Sequence, residues 1–342
     1  MNNIKLLTFS NQNSFGAMLQ CYALSKVLTD LGHNVELLRI PIVKPEHGFI
    51  GNLTFRIGDL FFNIFRRNRL PHQVNLTDCQ VNKDDIYIVG SDQVWNPDLT
   101  GDRALDYFFN FLPNHVKRIS YAASFGTSEW PEKNIETGVR NCLNKFSAIG
   151  VRESSGVQIC KEIFNVDATL TIDPTLLLDN YDALIIPETK PHKKTLVVFS
   201  LLKTTHEWLK LIQYIAKQTN THPVMLSERR IHKGISYQPW VTVEKWLSQI
   251  ANSTFVITNS FHGTVFAIIF KKQFIAMPAH TNRAGRIKHL LEMLGLETRY
   301  FKNMDVLYNS AGLLQEINYE DVFKKLSMLK LDSMKFLTNG LR

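Results

Sequence analysis

Short apolar runs alternate with stretches of helical spacing along most of the chain. Ile4–Phe9 reads as a buried strand. After the polar segment Ser10-Asn11-Gln12-Asn13-Ser14, the residues Phe15, Met18, Leu19, Tyr22, Val27, Leu28 and Leu31 recur at helical spacing. Gly32 then stands where a helix end calls for a left-handed residue. Val35–Ile40, Ile86–Val89, Ile119–Ala123 and Ala148–Val151 repeat the strand pattern. Between 181 and 194 the texture turns polar, with Pro187, Pro191, Lys190, Lys193 and Lys194, as in an inter-domain linker. The alternation then resumes. Strands are expected at Leu196–Ser200, Val224–Ser227, Phe255–Thr258 and Phe274–Met277. Helices are expected at Glu207–Gln218, Val243–Ala251, Thr264–Phe270, Arg286–Leu294 and roughly Tyr319–Leu337.

Strands alternating with helices predict parallel sheets covered on both faces, in an α/β fold. The expected division is an N-terminal domain over 1–180, a linker over 181–194 and a C-terminal domain over 195–342. The terminal helix is expected to pack back on the first domain. Two α/β halves facing each other across a cleft is the simplest assembly, and ligands then gather beyond the carboxyl ends of the strands.

A length of 342 residues suits two domains, and a 44% hydrophobic content is that of a globular protein. Cys21, Cys79, Cys142 and Cys160 stand far apart with no C-x-x-C pair, which argues against a disulfide scaffold or structural zinc and for reduced thiols. No metal site is expected. The N-terminus lacks the pattern of a secretory signal, and no apolar run approaches the roughly 18–20 residues that span a bilayer. A cytoplasmic protein is the expectation. The net charge of +8 suits an anionic small molecule or lipid surface. No nucleic-acid motif is present, so nucleic acid ranks last among partners.

Five loops place polar groups directly after an apolar strand. In Asn11–Ala17 a helix begins, whose N–H groups can receive an anion or a sugar hydroxyl; an N-cap by Asn13 or Ser14 explains the same residues. In Gly90–Pro97, Asp92 can orient or deprotonate a sugar hydroxyl and Trp95 can stack on a sugar ring, though a turn with a packed Trp is the plainer reading. In Gly150–Gly156, Arg152 can grip a phosphate or carboxylate, or form a salt bridge to Glu153 or another carboxylate. In Thr258–Ala267, His262 is flanked by Asn259, Ser260, Gly263 and Thr264, a setting that suits a general acid or base. In His280–Arg286, Arg283 and Arg286 sit at a helix start, where basic charge opposes the helix dipole and invites an anion. Asp173-Pro174 is assigned to a turn.

Taken in order, the segments 13–20 (NSFGAMLQ), 90–96 (GSDQVWN), 120–126 (SYAASFG), 151–153 (VRE), 173–177 (DPTLL), 258–263 (TNSFHG) and 285–296 (GRIKHLLEMLGL) resemble the polysaccharide pyruvyl transferase family. The resemblance covers about residues 4–300. It implies a fold of two Rossmann-like domains of the GT-B type. It further implies phosphoenolpyruvate as donor and a sugar of a surface polysaccharide, or its lipid-linked precursor, as acceptor. No cofactor and no metal are implied. By the same resemblance His262 falls on the family's essential histidine and Arg152 on a donor-binding arginine. Some members carry Arg two residues before the histidine, where this chain has Ser260, so the donor's charge is expected to fall to Arg286 or Arg283. The rival readings are a nucleotide-sugar-dependent glycosyltransferase of the same fold and a non-catalytic sugar- or anion-binding protein of polysaccharide assembly.

One further segment bears on partners. Phe55, Ile57, Leu60, Phe61, Ile64 and Phe65 lie among Arg56, Arg66, Arg67 and Arg69. This pattern fits a helix resting peripherally on the anionic inner membrane face, or, more commonly, a helix packed on its own domain.

Overall fold

The computed structural model describes residues 1–41, 49–187, 194–226, 232–279, 285–302 and 314–342. The loop residues 280–284, and Arg283 with them, lie outside the described residues, as do residues 188–193 of the expected linker, with Lys190, Pro191 and Lys193.

The chain divides into two compact units, Met1–Leu178 with Ser327–Arg342, and Asp179–Leu326. The first holds seven parallel strands: β1 (Asn3–Leu7), β2 (Asn34–Arg39), β3 (Gln73–Asn75), β4 (Ile86–Gly90), β5 (Lys117–Ala123), β6 (Ala148–Val151) and β7 (Thr169–Leu170). Their order in the sheet is β3-β2-β1-β4-β5-β6-β7. Every residue of β4 is buried, as a strand covered on both faces requires. The helices are α1 (Phe15–Asp30), α2 (Phe49–Arg69), the single turn α3 (Pro97–Thr100), α4 (Glu136–Leu143) and α5 (Ser154–Glu162). Ser14 caps α1, and Gly32 closes it at φ +86°.

The second unit carries β8 (Thr195–Phe199), β9 (His222–Leu226), β10 (Ser236–Gln238), β11 (Phe255–Thr258) and β12 (Gln273–Ala276), again all parallel, in the order β10-β9-β8-β11-β12. Its helices are α6 (His206–Thr219), α7 (Val243–Ala251), α8 (Phe261–Ile269) and α9 (Gly285–Leu294). Leu196, Val198, Leu211, Ile212, Ile215, Phe255 and Ile257 form its core. Within residues 181–187, Tyr181 packs edge-on against Phe266 and the Ile186 amide donates to Ser248 Oγ at 2.8 Å, so this stretch belongs to the second unit's packing.

The last helix, α10 (Tyr319–Leu341), contributes its final residues to the first unit. Ser333 Oγ accepts from the Ile172 amide at 3.0 Å, and Phe336 lies so close to Gly150 that a Cβ there would stand 2.6 Å from its ring.

Both sheets share one winding. The first strand lies inside, two strands follow on one side and the rest on the other. Connections therefore diverge between β1 and β4 in the first unit and between β8 and β11 in the second. At such switch points the carboxyl ends of the strands leave room for a ligand.

Candidate functional site

In the second unit, β11 delivers the chain to its switch point at Asn259. Asn259 is buried; its Oδ1 accepts from the Leu201 amide at 2.7 Å and its Nδ2 donates to Ser200 Oγ at 2.9 Å. It ties the end of β11 to the loop after β8 through both ends of its amide. Ser260 is the N-cap of α8, and its Oγ accepts from the Gly263 amide at 3.2 Å. Its own amide donates to Thr258 Oγ1 at 3.1 Å. Ser260 thus has a capping role in the fold. At Gly263 a Cβ would stand 2.4 Å from Thr258 Oγ1, so glycine is what lets α8 approach β11 this closely.

His262 lies in the first turn of α8, buried at the carboxyl end of β11. The helix begins at Phe261, three residues earlier than the expected Thr264, because Ser260 supplies the cap. The His262 and Phe261 rings meet at right angles, centroids 5.2 Å apart. The Arg286 guanidinium, from the first turn of α9, lies 5.9 Å from the Phe261 ring centroid. One aromatic ring thus separates an imidazole from a cation, beside the N-terminus of an eight-plus-residue helix whose first-turn N–H groups favour negative charge.

In the first unit, the loop after β4 turns through two non-glycine residues with positive φ, Ser91 at 30° and Asp92 at 63°. Such conformations cost free energy and persist where surrounding contacts fix them. Here Ser91 Oγ donates to Asp173 Oδ2 at 3.0 Å, the Ser124 amide donates to the Asp92 carbonyl at 3.0 Å, and Thr8 Oγ1 donates to the Ser91 carbonyl at 3.3 Å. Arg152, 2% exposed, follows β6. Its Nη1 pairs with Asp173 at 2.7 Å and its Nε with Glu153 at 2.9 Å, while Nη2 lies 3.8 Å from Asp92. Burial works against its charge, but Glu153, Asp173 and Asp92 together outweigh it and hold the guanidinium above the ordinary arginine range. The partners that Arg152 meets in the structure are carboxylates of its own unit.

Trp95 departs from its expected role as a sugar platform. It is fully buried, stacked on Phe108 at 5.0 Å and packed against Phe125 and Phe146, with Nε1 donating to the Tyr107 carbonyl at 3.0 Å. No ring face is left for a sugar. Asn13 gives its Oδ1 to Arg66 Nη2 at 2.9 Å, so what it can offer a ligand is its amide N–H groups. Asp92 is the most exposed carboxylate of the Arg152 cluster, at 13%.

A family model for polysaccharide pyruvyl transferases matches residues 15–280. The chain belongs to the polysaccharide pyruvyl transferase family. Among curated proteins none matches it in sequence. Solved structures resemble it in fold at low identity. A putative UDP-N-acetylglucosamine 2-epimerase from Listeria monocytogenes aligns at TM-score 0.53 and 11% identity, over 98% of this chain and 89% of that one. MnaA from S. aureus in its UDP co-structure aligns at 0.52 and 11%, over 98% and 90%. A glycosyltransferase from Rickettsia africae aligns at 0.51 and 12%, over 100% and 99%. The family member described here thus has two parallel-sheet α/β domains of the kind found in GT-B glycosyltransferases and epimerases.

Sequence reading missed Arg66 and Asp173 as organisers of the first unit. Arg66 is buried on α2 and Asp173 is 1% exposed. The conjunction of Arg152 with a buried Asp-Pro turn was a signal, but pairing across 21 residues is not written in local spacing.

Proposed function

We propose that this family member transfers the enolpyruvyl part of phosphoenolpyruvate to a sugar of a surface polysaccharide, such as a capsule or exopolysaccharide, or of its lipid-linked precursor, forming a cyclic ketal. The observation that supports this reading is the setting of His262, a buried imidazole in the first turn of a helix at the second unit's switch point, with Arg286 one ring away. In the proposed reaction His262 protonates the methylene carbon of the donor. The carbon bearing phosphate becomes oxocarbenium-like, a sugar hydroxyl adds there with loss of its proton, and the C–O bond to phosphate breaks as a second hydroxyl closes the ketal, its proton passing to the departing inorganic phosphate. Arg286 and the N-terminus of α8 take the donor's negative charge, in place of Arg152. In the first unit, Asp92 is the group proposed to orient or deprotonate the acceptor hydroxyl.

The test is phosphate release from phosphoenolpyruvate with a panel of lipid-linked and model glycosides. Release must require a glycoside, and His262→Ala must lower it about 10²–10⁴-fold while the protein stays folded. Undiminished turnover in His262→Ala removes the assignment. No release with any glycoside, together with thermal stabilisation by a nucleotide sugar, moves the reading to a nucleotide-sugar glycosyltransferase, and binding without turnover moves it to a non-catalytic binding protein.

For a lipid-linked acceptor we propose peripheral contact with an anionic membrane face. No helix among the described residues is long and apolar enough to cross a membrane. The outward face of α2 carries Leu60, 57% exposed, and Ile64, 43% exposed, at positions i and i+4, with exposed Arg67 next on the same face.

A further inference from the structure

Arg66 is the one member of the Arg66–Arg67–Arg69 cluster that turns inward, and it does so at the first unit's switch point. Its side chain is 8% exposed. Nε donates to the Ser10 carbonyl at 2.9 Å. Nη2 donates to the Gln12 carbonyl at 2.9 Å and to Asn13 Oδ1 at 2.9 Å. Nη1 donates to Asn63 Oδ1 at 2.7 Å and lies 3.6 Å from Asp59. The guanidinium therefore closes on three acceptors of the loop after β1, from Ser10, Gln12 and Asn13, and two residues of its own helix hold it from behind.

That loop is short and crosses the point where β1 and β4 part. Asn11 is fastened to the Ile40 carbonyl, and Ser14 caps α1. The Thr8 hydroxyl links the start of the loop to the Ser91 carbonyl, one residue before Asp92. A loop with backbone carbonyls pointing inward needs donors, and the described segment receives them from one buried arginine more than 50 residues away. A lysine cannot replace it: an ammonium is a point donor, whereas the planar fork spans several acceptors at once.

We infer that Arg66 is a positioning residue for the acceptor side, setting the Ser10–Asn13 loop and with it the amide of Asn13 that meets the incoming sugar. This rests on the function proposed above. Arg66 touches no reacting atom; it fixes the rotamer of Asn13 by occupying Oδ1, so that the amide N–H groups are the face presented to a hydroxyl oxygen. The same contacts turn α2, whose outer face carries Leu60, Ile64 and Arg67, into the element that reaches the site loop.

The experiment uses the full chain with Arg66→Lys, Asn13→Ala and the double variant. Amide hydrogen exchange is read over residues 10–18, with β4 and β5 as internal reference, and the KM for glycoside and for phosphoenolpyruvate is read from phosphate release. In Arg66→Lys, exchange in the loop is expected to rise about tenfold with the reference strands unchanged, as loss of charge-assisted hydrogen bonds implies. The glycoside KM is expected to rise about tenfold with the phosphoenolpyruvate KM unchanged, and the double variant to be no worse than the more impaired single variant. Unchanged loop exchange, a parallel rise in both KM values, or additive effects of the two substitutions overturns the inference. If the wild-type protein releases no phosphate from phosphoenolpyruvate, the functional reading has failed, and the exchange measurement still decides whether Arg66 sets the loop.

Discussion

Replacing Arg152 by Met separates a donor-binding arginine from one that holds the fold together. In the structure the guanidinium is enclosed by Asp173 at 2.7 Å, Glu153 at 2.9 Å and Asp92 at 3.8 Å, with its side chain 3% exposed. Asp173 is itself fully buried, and its Oδ1 accepts from the Thr175 amide at 3.0 Å and hydroxyl at 2.6 Å. Arg152→Met strands buried carboxylates without their cation, a change that costs about 3–5 kcal/mol. At about 2–4 °C per kcal/mol for a unit of this size, the melting temperature should fall on the order of 6–20 °C. Thermal melts by far-UV circular dichroism read this directly. Adding Asp173→Asn to Arg152→Met should cost less than the sum of the two single changes, because the second substitution removes a charge the first has stranded. Phosphoenolpyruvate affinity, measured calorimetrically at a temperature where the variant is folded, should be unchanged. A variant that melts with the wild type but no longer binds phosphoenolpyruvate refutes the reasoning and returns Arg152 to the donor.

Other outcomes follow from single features. Gly263→Ala puts a methyl group 2.4 Å from Thr258 Oγ1, which donates to the Phe199 carbonyl at 2.8 Å; it should cost about 1–3 kcal/mol in denaturant melts and disturb the turn carrying His262. Burial pushes the thiols of Cys21 and Cys160 up to about 12 from an ordinary 9.0, so a thiol reagent near neutral pH should label half-buried Cys79 first and leave these two intact. Their unfolded forms lose protons first as pH rises, so stability is full below pH 9.0 and should decline between 9.0 and about 12; a flat alkaline stability profile contradicts this. Neutralising Arg67 and Arg69 with Gln should reduce co-sedimentation with anionic vesicles while leaving the melting temperature unchanged; equal sedimentation with neutral and anionic vesicles removes the membrane reading of α2.

Much of the sheet architecture was legible because parallel strands covered on both faces must be apolar throughout. Ile86–Val89, Ala148–Val151 and Phe255–Thr258 announce themselves this way, and the structure places strands there. The strands that escaped notice, β3, β7 and β10, have two or three residues and an intermediate or exposed burial pattern, so they carry almost no periodic signal. The start of α8 was misplaced for a related reason: a helix buried on all sides has no polar face to time its period, and only the Ser260 cap marks where it begins. Local sequence leaves Trp95 and Arg66 open. An aromatic beside an acidic turn can be a sugar platform or a packed ring, and an arginine beside two others can face a membrane or pack on its own domain. What decides both is partners distant in sequence, Phe125 and Phe146 for Trp95, Ser10 and Gln12 for Arg66.

The two switch points share a winding but not a chemistry. In the first unit, the cationic groups at the strand ends are spoken for: Arg152 faces three carboxylates, and Arg66 faces Asp59 and the carbonyls of the β1 loop. What such a surface can offer is oriented polar groups, Asp92 and the amide of Asn13, which suit a neutral, hydroxyl-rich molecule. In the second unit, Asn259 and Ser260 are hydrogen-bonded within the turn, and beside them stand an imidazole, the Arg286 guanidinium beyond Phe261, and a helix N-terminus. Those suit a small anion that must receive a proton. Ser260 fits this division, because its Oγ caps α8 and so defines the helix start where negative charge is favoured. The proposed assignment of phosphoenolpyruvate to the second unit and of the sugar to the first rests on this difference in the polar groups that stand at the two switch points.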